Sequence, residues 1–365
     1  MKRILLFLLM IVFAQAFQAQ NYHFLVGTYT NTGLSKGIYT YELNGKTGVV
    51  TQMSLTTGVS NPSYLYVTPD RKFVYSVDES AEGSAANAFS FDAGTGKLKF
   101  INRSFTQGKG PCFISATPKH VFTANYGGGS LSVFARKADG SLSELKQKIQ
   151  HIGSSIDSSR QAEPHVHQVL VTKDYKFVIA NDLGTDKVTV YQYNPNSDAR
   201  ILTPWDTLDV KKGSGPRHIA FSRNGKLAYL VQELDGTVSV LSLTNGRLDL
   251  LQETTLIGEP NQKAWAADIH LSPDGKFLYA TNRAPANNIT CFNVLKDGRL
   301  ENYFSISTRG DGPRNFALSP DGKFLLVAHQ FSNNIVIFKR DKKTGYLTDT
   351  GERIEVGAPV CLVFY

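Results

Sequence analysis

The chain has 365 residues, of which 41% are hydrophobic and 19% charged, with 39 Lys and Arg against 31 Asp and Glu. That apolar content excludes a disordered chain. Three cysteines in so long a chain exclude a disulfide scaffold, and no apolar run after residue 20 nears the ~18 residues of a membrane span.

The first predicted element is an address. Lys2 and Arg3 precede an apolar stretch from Ile4 to Phe13, and small residues follow at Ala14, Ala16 and Ala19. This is the pattern of a secretory signal peptide, so residues 1–19 are expected to be removed and the mature chain exported to the periplasm or the medium. No membrane association is expected after cleavage. The basic residues that remain lie mostly in turns, and doublets such as Lys211-Lys212 are their densest clusters, so no nucleic-acid partner is expected.

Residues 20–365 repeat one phrase: a Pro, an apolar strand, Ser/Thr-Pro-Asp-Gly-Lys, and a second apolar strand. It begins at Pro62 with Thr68-Pro69-Asp70-Arg71-Lys72, and degenerates to Thr117-Pro118-Lys119-His120 and Thr172-Lys173-Asp174-Tyr175-Lys176. It returns as Ser222-Arg223-Asn224-Gly225-Lys226, Ser272-Pro273-Asp274-Gly275-Lys276 and Ser319-Pro320-Asp321-Gly322-Lys323. The period is about 50 residues, which is propeller-like. After each such turn comes an alternating strand, as in Thr237–Leu241, and then a second turn such as Asn245-Gly246 or Asp297-Gly298. Those dipeptides supply the positive φ of tight hairpins. The two ends are complementary fragments. Pro359–Phe364 reads as a first strand with nothing after it, while the segments at Phe24, Gly37 and Val49 read as second to fourth strands with no first. The expected fold is all-β: a single-domain seven-bladed β-propeller of four antiparallel strands per blade, closed by pairing the C-terminal strand with the N-terminal strands.

Counting blades from Pro62, the start of each first strand and the end of each second strand meet at one mouth of the axis. The residues just after the Pro position are Ser63, Cys112, His167, Arg217, Ala267, Arg314 and Val360; the next are Tyr64, Phe113, Gln168, His218, Asp268, Asn315 and Cys361. The second strands end in Asp78-Glu79, Asn125-Tyr126, Asp182-Leu183, Gln232-Glu233, Asn282-Arg283 and His329-Gln330. Blade packing needs no ionisable groups there, and convergent polar groups in a concavity mark a binding site. His270 lies two residues after Asp268 on a first strand, so both side chains point the same way. An intervening blade separates Cys112 from Cys361, so no disulfide is expected. CxxC and HExxH spacings do not occur, and Arg217, Arg283 and Arg314 facing one mouth disfavour a dication. No metal and no cofactor are expected.

The stretch Arg160-Gln161-Ala162-Glu163-Pro164-His165-Val166-His167-Gln168, followed by Asn181-Asp182-Leu183-Gly184, resembles the hallmark of the 6-phosphogluconolactonase-type seven-bladed propellers, which are similar to the fungal carboxymuconate cyclases. Gly215-Pro216-Arg217-His218, Asn282-Arg283 and Gly310-Asp311-Gly312-Pro313-Arg314-Asn315 match as well. The resemblance spans nearly the whole mature chain and implies opening or closing of a lactone ring without a metal. It implies a catalytic set of His165 or His167, Arg217, Glu233 and Arg283. Around these, Arg160, Gln161, Gln168, Asp182, His218, Asp268, His270, Arg314, Asn315, His329 and Gln330 are the expected substrate contacts. The expected activity is hydrolysis of a sugar-derived lactone or a related acidic sugar derivative by a monomer. The alternatives are cycloisomerisation of an unsaturated dicarboxylate and ligand binding without chemistry. His167 is the expected base, titrating near pH 6–7, with His165 as second choice; Glu233 is its expected partner, and Arg217 and Arg283 the expected oxyanion donors.

Overall fold

A computed structural model describes residues 20–80, 83–258 and 263–365. Residues 1–19, the expected signal peptide, lie outside the described residues. The described residues form 28 strands in seven four-stranded antiparallel sheets. Blades one to six each take four consecutive strands. Blade seven takes Pro359–Phe364 as its inner strand, followed outward by Tyr22–Thr28, Gly37–Leu43 and Val50–Thr57. The two ends pair antiparallel, with Val26 opposite Leu362 and Gly27 opposite Cys361.

The repeated phrase makes these hairpins by local chemistry. In blade six, Ser319 Oγ donates to Asp321 Oδ1 at 2.7 Å and accepts from the Phe324 amide at 2.9 Å, while the Lys323 amide donates to Asp321 at 3.0 Å. Gly322 takes the φ of +69° that the turn requires. Second-turn glycines then dock one blade on the next. A Cβ on Gly345 would meet the Phe277 ring at 2.6 Å, and one on Gly48 would meet Phe324 at 2.8 Å across the closure.

Strand alternation divides the core between the gaps. Phe24 and Val26 face blade six, while Leu25 between them faces blade one. Seven apolar clusters result, one in each gap between neighbouring blades. Each fully buried Leu or Phe in them contributes ~1.5–3 kcal/mol relative to exposure. Inner strands are covered on both faces, whereas outer strands such as Leu142–Gln150 alternate between covered and exposed. The seven inner strands therefore surround the axis, and only their ends and axial faces are free for chemistry.

Candidate active site at the axial mouth

Residues from all seven blades, with Arg160 and Trp265 supplied by loops before inner strands, surround a cavity of about 250 Å³ at one end of the axis. It is lined by Tyr29, Glu79, Cys112, Tyr126, Arg160, His167, Glu233, Trp265, Arg283 and Arg314. Inner-strand starts supply Cys112, His167 and Arg314; ends of second strands supply Glu79, Tyr126, Glu233 and Arg283.

Glu233 is the organising group. Its carboxylate is buried and meets three guanidiniums: Arg160 Nη2 at 2.5 Å on Oε1, and Arg217 Nε and Arg283 Nη2 at 2.9 Å each on Oε2. Burial alone would raise its pKa, but Arg283, Arg217 and Arg160 overrule it and hold it at about 2. The Arg217 contact is an ion pair whose N–H is not aligned for a hydrogen bond. Arg217 also donates through Nη1 to the Ala267 carbonyl, and it lies beneath the cavity rather than on its wall. Arg283 lies over the Trp265 ring, 4.2 Å from its centroid, and donates to the carbonyls of Trp265 and Ala266.

Across the cavity stands a second carboxylate. Glu79 accepts from Tyr29 Oη at 3.0 Å and from Ser63 Oγ. Burial raises its pKa, with Arg314, Ser63 and Tyr29 opposing. Arg314 is different from the other arginines. It lies 5.6 Å from the Tyr29 ring centroid, and among the described residues it forms no hydrogen bond or ion pair. Burial works against its charge, but Tyr29, Glu79 and Glu233 hold its pKa up.

His167 is buried, and desolvation together with Arg217, His218, Arg314 and Arg283 pushes its pKa well below the ordinary histidine value. It is therefore neutral at physiological pH, which corrects the expectation of a titration near pH 6–7. Its Nδ1 is sealed from solvent without a partner, while Nε2 opens on the cavity. Below it a chamber of about 10 Å³ is lined by Ser63, Tyr64, Cys112, His167, Arg217, His218, Arg314, Asn315 and Val360. His218 Nδ1 lies 2.8 Å from Asp268 Oδ1, and its Nε2 is likewise buried without a partner.

Other expected contacts lie elsewhere. His165 stacks on Tyr126 at 4.4 Å between centroids and contacts the Tyr126 carbonyl through Nδ1, so Tyr126 stands between it and the cavity. Asp182 is turned to the backbone, accepting from the His165 and Gly184 amides and pairing with His151 at 2.8 Å. Gln161 donates to the Leu183 carbonyl, and Gln168 accepts from Asn181 and the Ile219 amide, which ties blade three to blade four. Asn315 joins Asp268 to the Leu362 amide. His329 packs against Gly310, where burial lowers its pKa to about 4, and the Gln330 Oε1 is buried nearby in sequence without a partner. His270 Nε2 reaches Asp268 Oδ2 at 2.9 Å from the opposite mouth.

Sequence reasoning passed over Tyr29, Glu79, Tyr126 and Trp265. Glu79 and Tyr126 occupy the same strand-end position as Glu233, which was their signal. Tyr29 follows Tyr22–Thr28 in blade seven, where the two chain ends replace the Asp-Gly hairpin and remove the residue on which repeats are aligned. Trp265 lies in the loop before an inner strand, where no repeat position exists.

The fold and the site together define a propeller protein with an axial polar cavity built on one carboxylate clasped by three guanidiniums. Residues 23–364 match the family model of the seven-bladed β-propeller lactonases. A protein of Formosa agariphila named 6-phosphogluconolactonase is 37% identical over 348 residues, covering 93% of this chain and 98% of that one. A solved structure from Bacteroides fragilis is 42% identical with a TM-score of 0.92, covering 96% and 99% of the two chains. The periplasmic gluconolactonase of Pseudomonas aeruginosa is 38% identical with a TM-score of 0.91, covering 94% and 99%. The chain belongs to the seven-bladed β-propeller lactonase family, and it is a lactone hydrolase.

Proposed function

We propose that this chain is exported and hydrolyses a sugar-derived lactone that carries an acidic substituent, as a 6-phosphogluconolactonase does, without a metal. The observation that carries this reading is Arg314: of the three guanidiniums that line the cavity, Arg160 and Arg283 are committed to Glu233, and Arg314 is left uncommitted. A fixed guanidinium recognises phosphate or carboxylate in a fork. The Pseudomonas aeruginosa relative is a periplasmic gluconolactonase, in keeping with the leader expected at residues 1–19 here.

In this reading the lactone lies with its acidic group on Arg314 and its carbonyl toward Arg283. His167 Nε2 takes a proton as water attacks that carbonyl. The oxyanion that develops is stabilised by Arg283, which Glu233 and the Trp265 face hold in place. Collapse of the tetrahedral intermediate breaks the ring C–O bond, and the released oxygen takes the proton from His167, giving the open hydroxy acid. Arg217 acts at one remove, since its guanidinium is committed to Glu233 and Ala267.

The test is purified mature protein against lactones with and without a phosphate or carboxylate, read by proton release. Faster turnover of the anionic members is expected. Binding of anionic sugar derivatives with no turnover of any lactone would instead mean a ligand-binding propeller.

A further inference from the structure

Three buried polar groups lie in line below the cavity floor, and the hydrolysis reading does not use two of them. His167 and His218 meet edge to face, with ring centroids 5.1 Å apart and planes at 71°. Each has one ring nitrogen that is sealed from solvent and unpartnered, Nδ1 on His167 and Nε2 on His218. Both rings line the same chamber of about 10 Å³. A chamber of roughly that size is about one water probe in volume, and a buried water needs two to four polar partners. Two unpartnered imidazole nitrogens meet that need, and a buried polar atom left without a partner carries its full desolvation penalty.

The protonation of this group follows from its lower end. Asp268 accepts from His218 Nδ1, His270 Nε2, Asn315 Nδ2 at 2.5 Å and the Ile269 amide at 3.0 Å. Burial would raise its pKa, but His270 and His218 hold it well below the usual carboxylate range, so it is an anion that only accepts. Burial and Arg217 keep His218 neutral by lowering its pKa to about 4, against the pull of Asp268. His218 therefore carries its hydrogen on Nδ1 and presents a lone pair on Nε2 to the chamber.

We propose that the chamber is a one-water site, and that its water donates to His218 Nε2 and accepts from His167 Nδ1–H. Asp268 and His218 are then positioning residues. Through the water they hold His167 in the tautomer whose Nε2 lone pair faces the cavity. The direction of the His167 bond rests on the reading of His167 as base. When Nε2 takes a proton from the attacking water, Nδ1–H stays in place. The new positive charge strengthens its bond to the chamber water, so no proton has to travel along the chain.

The experiment is ¹⁵N-histidine NMR of the full protein near neutral pH, with the ring signals assigned by their loss in His167→Gln and His218→Phe. In the wild type, His167 and His218 are both expected to be protonated at Nδ1. In Asp268→Asn the His167 signal is expected to move toward the Nε2–H tautomer, although His167 does not touch Asp268. His218→Phe is expected to do the same, and kcat on a good lactone to fall about tenfold or more with KM little changed. A wild-type His167 protonated at Nε2 overturns the proposal, and so does a His167 tautomer unchanged in both variants. The wild-type spectrum does not depend on any variant folding. The spectra also need no substrate, so absence of lactone turnover would overturn the hydrolase reading and leave this hydrogen-bonded chain standing.

Discussion

The two mouths of the axis are made by the same seven inner strands, yet they are chemically unlike. The upper mouth holds three arginines, two glutamates and His167 around about 250 Å³. The lower one is larger, at about 420 Å³, and is lined by Tyr64, Tyr66, Phe113, Leu170, Leu271, Leu318, Leu362 and Phe364, with His270 its one imidazole. Size does not mark the reactive end. What separates them is position along the strand: strand starts and strand ends at the top are free of blade packing, while the lower residues continue the apolar alternation that fills the gaps.

Removing the upper carboxylate is the harshest test of that contrast. Glu233→Ala leaves the buried Arg217 and Arg283 and the half-buried Arg160 without their anion, and breaking a buried pair of this kind costs about 3–5 kcal/mol. Activity is expected to vanish and the denaturant midpoint to fall sharply. If that variant unfolds like the wild type, the upper mouth is not held together by charge. Arg314→Ala probes binding rather than assembly. Its KM for an anionic lactone is expected to rise about 10- to 100-fold, as loss of a charge-assisted hydrogen bond implies, with little change for a neutral lactone. Equal effects on both substrates would remove Arg314 from the anion site.

The histidines sharpen the comparison through opposite signs. His218 and His329 titrate near 4 in the folded protein, below the unfolded value of 6.5. Between those values the unfolded chain binds more protons, so stability is expected to fall as pH drops from about 6.5 to about 4. His270 at the lower mouth behaves the other way. Burial lowers its pKa, but Asp268 overrides that and raises it. Its contribution is full below the unfolded value and lost as pH rises through the folded one. Denaturant midpoints measured against pH should thus flatten at the acid end in His329→Leu, whereas in His270→Gln the decline expected as pH rises above about 6.5 should disappear. The smallest effect is expected from Tyr66→Phe on the lower wall, where kcat/KM should stay within about twofold, below the ~1.4 kcal/mol of a tenfold change.

Much of this was legible because a repeat turns sequence position into spatial position. Aligning the hairpins placed His167, Glu233, Arg283 and Arg314 at one mouth without any contact being known. The same alignment says where a side chain starts but not what it meets. Asp182, Gln168 and Asn315 share those positions and are turned to backbone amides instead. Arg217 points the right way and is stopped by Glu233 and Ala267 below the cavity. His165 and Trp265 lie in irregular loops, outside the period, and their contacts with Tyr126 and Arg283 come only with the folded ring.

The blade that joins the two ends also sets an order in time. A chain that emerges N-terminus first exposes Tyr22–Thr57 as a three-stranded sheet with its inner edge bare. That edge waits for Pro359–Phe364, which lies more than 300 residues further along the chain. Until then blades six and one have no shared neighbour, and the ring is an open arc. Arg314 in blade six and Glu79 with Ser63 in blade one flank that gap, so the proposed anion site takes shape only when Pro359–Phe364 is in place. A chain without that strand thus leaves the axial mouth open on one side, and the last blade is both the fastener of the ring and part of the wall of its cavity.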